Sequence, residues 1–163
     1  MLALGIDPGS AICGFAFVQL FNSQLLPIHF GVITTSPKAR MQDRLLKIYS
    51  ELTLLIDKFQ PQVMGIEKLF FGKNSTTAIA VAQARGVVLL TAAQFNLDVI
   101  EITPNEVKQS ITGYGAASKE QVIYMVTNIL KLPEPPAPDD AADALAIAIA
   151  AAYDADNFLR LKS

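Results

Sequence analysis

Four carboxylates stand in apolar surroundings, where an unpaired charge is expensive. Asp7 ends the apolar run LALGID, and Glu67 follows QVMGI. Asp140 and Asp143 are three residues apart in DDAADALAIAIA, so both would share one helix face. Carboxylates at close range repel one another unless a divalent cation binds between them. Mg²⁺ prefers such ligands, and two ions can assist phosphodiester hydrolysis, so the pattern predicts metal-dependent catalysis by these acids.

Each acid also has a purely structural interpretation. Asp7 begins Asp-Pro-Gly, which could be a plain turn, and Glu67 could be a solvated strand tip. Either Asp139 or Asp140 could be a helix N-cap, a position that favours Asp. We assign the cap to Asp139 and the metal to Asp140, because Asp140 has the three-residue spacing to Asp143. Whether Asp139 is the ligand instead stays open on this pattern.

The elements that would position these acids follow from apolar periodicity. Strands are predicted over 2–7, 12–20, 24–35, 62–66 and 97–102, and helices over 40–59, 75–94, from Pro104, from Ser118 to about Leu132, and from Asp139 onward. Short turns make the first three strands antiparallel, and helical crossovers make the rest parallel. This order predicts an α/β fold with one mixed five-stranded sheet, helices on both faces and the acids at one end.

Domain organisation and composition fit one compact unit. We expect a single domain over 1–156 and a short C-terminal tail over 157–163. The lone cysteine, Cys13, excludes an intrachain disulfide, and the lone histidine, His29, is expected to be structural. The net charge is −2, but if the four acids bind metal, Lys and Arg outnumber the remaining acids. No signal peptide or membrane span is evident, so we expect a cytoplasmic protein.

Five segments together resemble the RuvC family of Holliday-junction resolvases, in order along nearly the whole chain. They are GIDPGS (5–10), IEKLFFGKNSTTAIAVAQARG (66–86), PNEVK (104–108), TGYGAASKEQV (112–122) and DDAADALAIAIA (139–150). The resemblance implies an RNase H-like fold and a homodimer. It also implies a Mg²⁺-dependent, structure-selective endonuclease that cuts four-way DNA junctions by paired symmetric nicks in recombination and repair. The family's catalytic acids correspond by motif position to Asp7, Glu67, Asp140 and Asp143.

The resemblance also implies DNA contacts. Phe70 corresponds to an aromatic that contacts bases at the junction centre, and Lys108 and Lys119 correspond to lysines near the scissile phosphate. Lys73 and Arg85 lie close in sequence to the second acid and are further predicted contacts, although either could be a surface charge. The implied cofactor is Mg²⁺, two ions per site, with Mn²⁺ able to substitute. Branch-migration machinery is a possible partner, and no membrane is expected.

Three other functions compete with junction cleavage. Another RNase H-like nuclease would act on ribosomal RNA precursors or RNA–DNA hybrids. A sugar-kinase or actin-like ATPase also has a strand that runs into an Asp-Gly turn, but it needs two large lobes, for which 163 residues are too few. A non-catalytic junction-binding module would not need all four acids.

Overall fold

Strands and helices follow one another in the predicted order β-β-β-α-β-α-β-α-α-α. The structure is a computed structural model that describes residues 1–68 and 75–162, without the side chains of residues 75–77, 160 and 162. Its elements are β1 Leu2–Asp7, β2 Ile12–Phe21, β3 Gln24–Thr34, α1 Met41–Phe59, β4 Val63–Glu67, α2 Ser75–Gln94, β5 Asp98–Ile102, α3 Pro104–Thr112, α4 Lys119–Ile129 and α5 Asp139–Lys162.

The five strands form one mixed sheet in the order β3-β2-β1-β4-β5. Antiparallel pairing joins β1 to β2 and β2 to β3, whereas β4 is parallel to both β1 and β5. The β2–β3 turn contains Asn22 and Ser23, both with positive φ. These features confirm the predicted α/β fold with three antiparallel and two parallel strands.

Side chains alternate between the two faces of the sheet and build two cores. One core contains Leu4 and Ile6 of β1 and packs against α1 and α2. The other contains Ala3 of β1 and packs against α3, α4 and α5. Helices therefore cover both faces, and odd-numbered positions of β1 and β4 face α5.

Helix α5 approaches the sheet unusually closely because the residues between them are small. A Cβ added to Gly5 would lie 2.2 Å from the carbonyl oxygen of Ala144, and one on Gly14 would lie 2.0 Å from that of Asp140. The same would happen at Gly65, 2.7 Å from the Cβ of Ala151. The alanine-rich composition of α5 thus lets its backbone rest almost directly on β1, β2 and β4.

Local signals set several helix ends. Ser118 and Gln121 form the predicted capping box at the start of α4, which ends at Ile129, earlier than the predicted Leu132. Pro104 occupies the first turn of α3, as predicted. The structure places Asp139 inside α5 as its first residue, so the prediction that Asp139 precedes this helix as its cap is wrong. Pro138 stands before it and its carbonyl accepts the first helical hydrogen bonds.

The C-terminal helix continues to Lys162, through the segment predicted as a tail. None of the helices in residues 1–68 and 75–162 has the length and apolar character needed to cross a membrane. Cys13 is fully buried, and His29 stacks on Phe59 at 5.2 Å between ring centres, away from the carboxylates.

Candidate active site

Asp7 and Glu67 lie on neighbouring strands and on the same face of the sheet. Ile6 of β1 pairs with Ile66 of β4 in parallel register, so the two acids that follow are adjacent. Both occupy odd-numbered positions, and Gly5 and Gly65 two residues earlier face α5. The strands therefore deliver both carboxylates to the end of the sheet beneath the start of α5.

The first turns of α5 bring the other two acids to the same place. Gly14, the register partner of Asp7 on β2, lies directly under the backbone of Asp140. Both Asp140 and Asp143 act electrostatically on Asp7, whereas no such effect of Asp139 on Asp7 is present. The side chain of Asp139 is 68% exposed and pairs with Lys119. Geometry thus favours Asp140 over Asp139 as the member of the acidic group.

Burial and like charges make Asp7 unusually hard to ionise. Burial, which is the largest cause, and the charges of Asp143, Glu67 and Asp140, in that order, together raise its pKa from the usual 3.8 to about 7. Lys119 opposes this shift. A carboxylate in such a position stores electrostatic repulsion that a bound cation would relieve.

Glu67 shares a small cavity with two lysines. Its pKa is raised, chiefly by burial and then by Asp143, while the charge of Lys108 lowers it. The cavity has a volume of about 240 Å³ and is lined by Glu67, Lys108, Lys119 and Asp143 together with apolar residues of α3, α4 and α5. The structure thus brings both predicted lysines to the acids, at a place where a phosphate could approach them.

Lys119, the first residue of α4, bonds to the acids of α5. Its Nζ lies 3.0 Å from Asp143 and 3.2 Å from Asp139. Partial burial lowers the pKa of Lys119, but the hydrogen bonds and charges of these two aspartates together outweigh it and raise the pKa. The ammonium therefore supplies part of the positive charge that the acidic group requires.

Arg85 ties three elements together behind Glu67. Its guanidinium forms an ion pair with Glu101 of β5, and its Nε donates to the backbone carbonyl of Glu67 at 3.4 Å. Only 15% of the Arg85 side chain is exposed. The sequence predicts a DNA contact at Arg85, whereas the observed contacts favour a role in holding the end of β4.

The donor chemistry of the acids fits a hard divalent cation. All four side chains offer carboxylate oxygens, and the pKa of Asp7 is raised first by burial and then by the negative charges of the other three acids. Within residues 1–68 and 75–162, no group of three or more Asp, Glu, His or Cys side chains is already arranged to hold an ion. The acids are neighbours rather than a preformed coordination shell, and Lys119 holds Asp143 among them.

Two predicted DNA contacts, Phe70 and Lys73, lie outside the described residues. The glycines that let α5 reach the acids are not predicted from the sequence, although GIDPG and MGIE each place a glycine two residues before an acid. Nor is Glu101 predicted as the partner of Arg85. That pairing joins residues distant in sequence, and no local pattern indicates it.

We predict that Asp7→Asn stabilises the metal-free protein above neutral pH. The folded state holds a proton with a pKa of about 7, whereas the unfolded chain releases it near 3.8. The contribution of Asp7 to the free energy of unfolding is therefore fully present below about pH 4 and is lost as the pH rises through about 7. After allowance for relaxation of the neighbouring acids, the variant should gain about 2 kcal/mol at pH 8.

Urea unfolding between pH 4 and pH 8 with a chelator present would measure this difference. Asp57→Asn, on the exposed surface of α1, is the matched control and should change stability little at any pH. A gain for Asp7→Asn that is the same at pH 4 and pH 8 would contradict the electrostatic explanation.

Comparison with known proteins agrees with this geometry. The family model for crossover junction endodeoxyribonuclease RuvC matches residues 3–151. The RuvC protein of Desulforamulus reducens is 46% identical over 158 residues, covering 97% of each chain. That of Caldicellulosiruptor saccharolyticus is 51% identical over 150 residues, covering 91% of this chain and 90% of the relative.

A solved structure has the same fold over almost the whole chain. Thermus thermophilus RuvC in complex with Holliday junction substrate superposes with a TM-score of 0.92 at 34% identity, covering 97% of this chain and 96% of that one. The match to these proteins covers almost the whole chain. It includes all five strands, the first turns of α5 and the four acids. The chain belongs to the RuvC family of crossover junction endodeoxyribonucleases and is a nuclease of the RNase H-like fold.

Proposed function

We propose that this nuclease resolves four-way Holliday junctions by paired symmetric nicks, in homologous recombination and DNA repair, with Asp7, Glu67, Asp140 and Asp143 as its catalytic acids. The observation that best supports this proposal is the position of Asp7, which is partly buried and near the three other acids at one end of the sheet. The junction-bound relative from Thermus thermophilus supports the substrate.

Nucleases of this family are in general metal-dependent. The proposed metal here is Mg²⁺, two ions per site, with Mn²⁺ able to substitute, held by the four acids. When bound, such ions activate water and stabilise the leaving oxygen of a phosphodiester. The chain's own contribution is to hold Asp7 and Glu67 rigidly on two paired strands, and Asp140 and Asp143 on a helix seated against them.

Lys108 and Lys119 are proposed to meet the phosphate that is cut. Both line the cavity beside Glu67 and Asp143, and both interact electrostatically with the acids there. A phosphate in this cavity could contact the ammonium groups of both lysines after changes in their rotamers. Phe70 and Lys73 remain proposed DNA contacts on the strength of their motif positions alone.

Arg85 offers a test between positioning and DNA contact. We predict that Arg85→Gln lowers kcat for junction cleavage about tenfold with little change in junction affinity, because the carbonyl end of β4 loses its tether. Single-turnover cleavage and equilibrium binding would separate the two quantities.

Glu101→Gln is the companion variant, because it removes only the charge of the Arg85 partner. It should reproduce part of the loss in kcat, again with junction binding retained. If Arg85→Gln instead weakens binding and flattens its salt dependence while Glu101→Gln does neither, Arg85 contacts DNA directly.

A homodimer is proposed through the outer face of α2. Ile79 and Leu90 are 62% and 58% exposed, and their separation of eleven residues places them three turns apart on one side of the helix. The opposite side, with Ala84 and Val88, packs on the sheet. A twofold pair would present two sites for two symmetric nicks. Sedimentation of the full chain tests this assembly.

Cytoplasmic location and cooperation with branch-migration machinery complete the proposal. The matched relatives are bacterial proteins, and a junction nuclease must reach chromosomal DNA. Pull-down by immobilised junction DNA, with and without added branch-migration proteins, would test the second point.

Cleavage of labelled substrates is the decisive experiment. The wild-type protein should nick a four-way junction at symmetric positions when Mg²⁺ is added, and should leave linear duplex of the same sequence uncut. Preference for an RNA precursor or an RNA–DNA hybrid would instead support the competing nuclease function. Tight junction binding without cleavage in Mg²⁺ or Mn²⁺ would support a non-catalytic module.

A further inference from the structure

The turn that follows Asp7 is held by an arginine from the opposite side of the sheet. Arg44 lies in the first turns of α1, and its Nε donates to Thr35 Oγ1 at 2.9 Å. Its Nη2 donates to Ser10 Oγ at 3.2 Å. Thr35 in turn donates from Oγ1 to the carbonyl of Ser10 at 2.6 Å, and from its backbone N–H to the carbonyl of Ala11 at 2.9 Å. These bonds connect α1, the segment after β3 and the Asp7 turn.

The charge of Arg44 is not neutralised by these partners. Ser10 and Thr35 offer only neutral hydroxyls, and in the described parts of the chain no carboxylate forms an ion pair with Arg44. Arg40, one turn earlier, differs in this respect, because Asp43 binds its Nε at 2.8 Å. Arg44 is also partly buried, and its hydrogen bonds to Thr35 and Ser10 orient the guanidinium.

A fixed guanidinium with unused donors is suited to a phosphate. The group has five N–H donors, and the two hydroxyl contacts leave the others for an anion. Ser10 is only three residues beyond Asp7. The guanidinium of Arg44 therefore lies at the end of the sheet that carries the acids. Because α1 and α5 cover opposite faces, Arg44 reaches that end from the side away from Lys108 and Lys119.

We propose that Arg44, oriented by Ser10 and Thr35, binds a backbone phosphate of the DNA beside the one that is cut. The inference rests on the proposed function, since it assigns a further contact to the same substrate. The two lysines and Arg44 would then hold the strand on both sides of Asp7, which limits its sliding during cleavage.

Junction binding without metal, measured as a function of salt for the full-length protein, tests the site. Arg44→Gln should weaken binding about tenfold near 0.1 M salt and reduce the slope of log K against log salt by about one. Arg40→Gln is the matched control, and its binding and slope should stay near wild type because Asp43 already pairs with that charge.

Two further variants separate charge from folding. Thr35→Val keeps the charge of Arg44 but removes the hydroxyl that accepts from its Nε. Junction binding should therefore weaken slightly, and its dependence on salt should not change. Arg44→Lys should keep the slope of log K against log salt, because the charge is retained. It should lower the affinity, because an ammonium lacks the planar, two-pronged donor geometry of a guanidinium. Arg44→Gln with wild-type affinity and slope but a lowered Tm would overturn the proposal and leave Arg44 as a structural tie. Failure of the proposed function would appear separately, as a wild-type protein that does not cut junctions.

Discussion

Asp7→Asn should bind a four-way junction with near wild-type affinity and cut it at least roughly 10³-fold more slowly than wild type in Mg²⁺. The substitution keeps the size of the side chain. It removes the carboxylate on which the charges of all three other acids act. Folding should not suffer, because the lost charge is one that burial and repulsion disfavour. Gel-shift binding and single-turnover cleavage measure the two effects.

Metal binding gives a second readout for the same variant. Added Mg²⁺ should raise the Tm of the wild type and raise that of Asp7→Asn less, because ligand binding stabilises only the state that binds it. Asp139→Asn is the matched control and should cut close to normally, since Asp139 is exposed and pairs with Lys119 instead. Cleavage retained by Asp7→Asn, or lost in Asp139→Asn with Asp140→Asn active, would refute the assignment of the acids.

Gly14→Ala should strongly destabilise the fold and weaken cleavage, because the added methyl group collides with the backbone of α5 beside the acids. Its Cβ would lie 2.0 Å from the carbonyl oxygen of Asp140 and 2.7 Å from the carbonyl carbon. Backbone atoms cannot rotate away as a side chain can, so the first turn of α5 must lift. We expect a loss of about 3 kcal/mol in the free energy of unfolding, together with weak cleavage.

Chemical unfolding and cleavage of the same preparation would measure both losses. Gly115→Ala is the control, because its Cβ would meet nothing closer than 3.4 Å and should change stability by less than about 1 kcal/mol. A Gly14→Ala protein with wild-type stability and cleavage would show that α5 tolerates displacement, and the close approach would then lack functional meaning.

Much of this arrangement follows from local sequence patterns. Apolar runs that end in Asp7 and Glu67, on strands separated by a helix, place the two acids side by side as soon as the strands are parallel neighbours. The spacing of Asp140 and Asp143 fixes their common helix face. Side chains along a strand alternate between the two faces, and those on a helix return to the same face about every 3.6 residues. Both conclusions therefore follow from the number of residues between the acids and their neighbours.

Other features depend on contacts between distant segments. Asp139 and Asp140 are adjacent aspartates, and only the seating of α5 over Gly14 shows which one approaches Asp7. The pairing of Arg85 with Glu101 likewise depends on how α2 packs against β5. In each case several partners are compatible with the sequence, and tertiary packing selects one.

Helix α5 is at once the most deeply buried helix of one core and the carrier of two acids. Its alanines Ala144 and Ala148 lie against Gly5, only one to five residues beyond Asp143. Any evolutionary drift in these interior contacts would therefore change catalytic alignment as well as thermal tolerance. Substitutions on the exposed helices and loops could change thermal stability without that cost, whereas the glycine and alanine positions of this interface couple stability to cleavage.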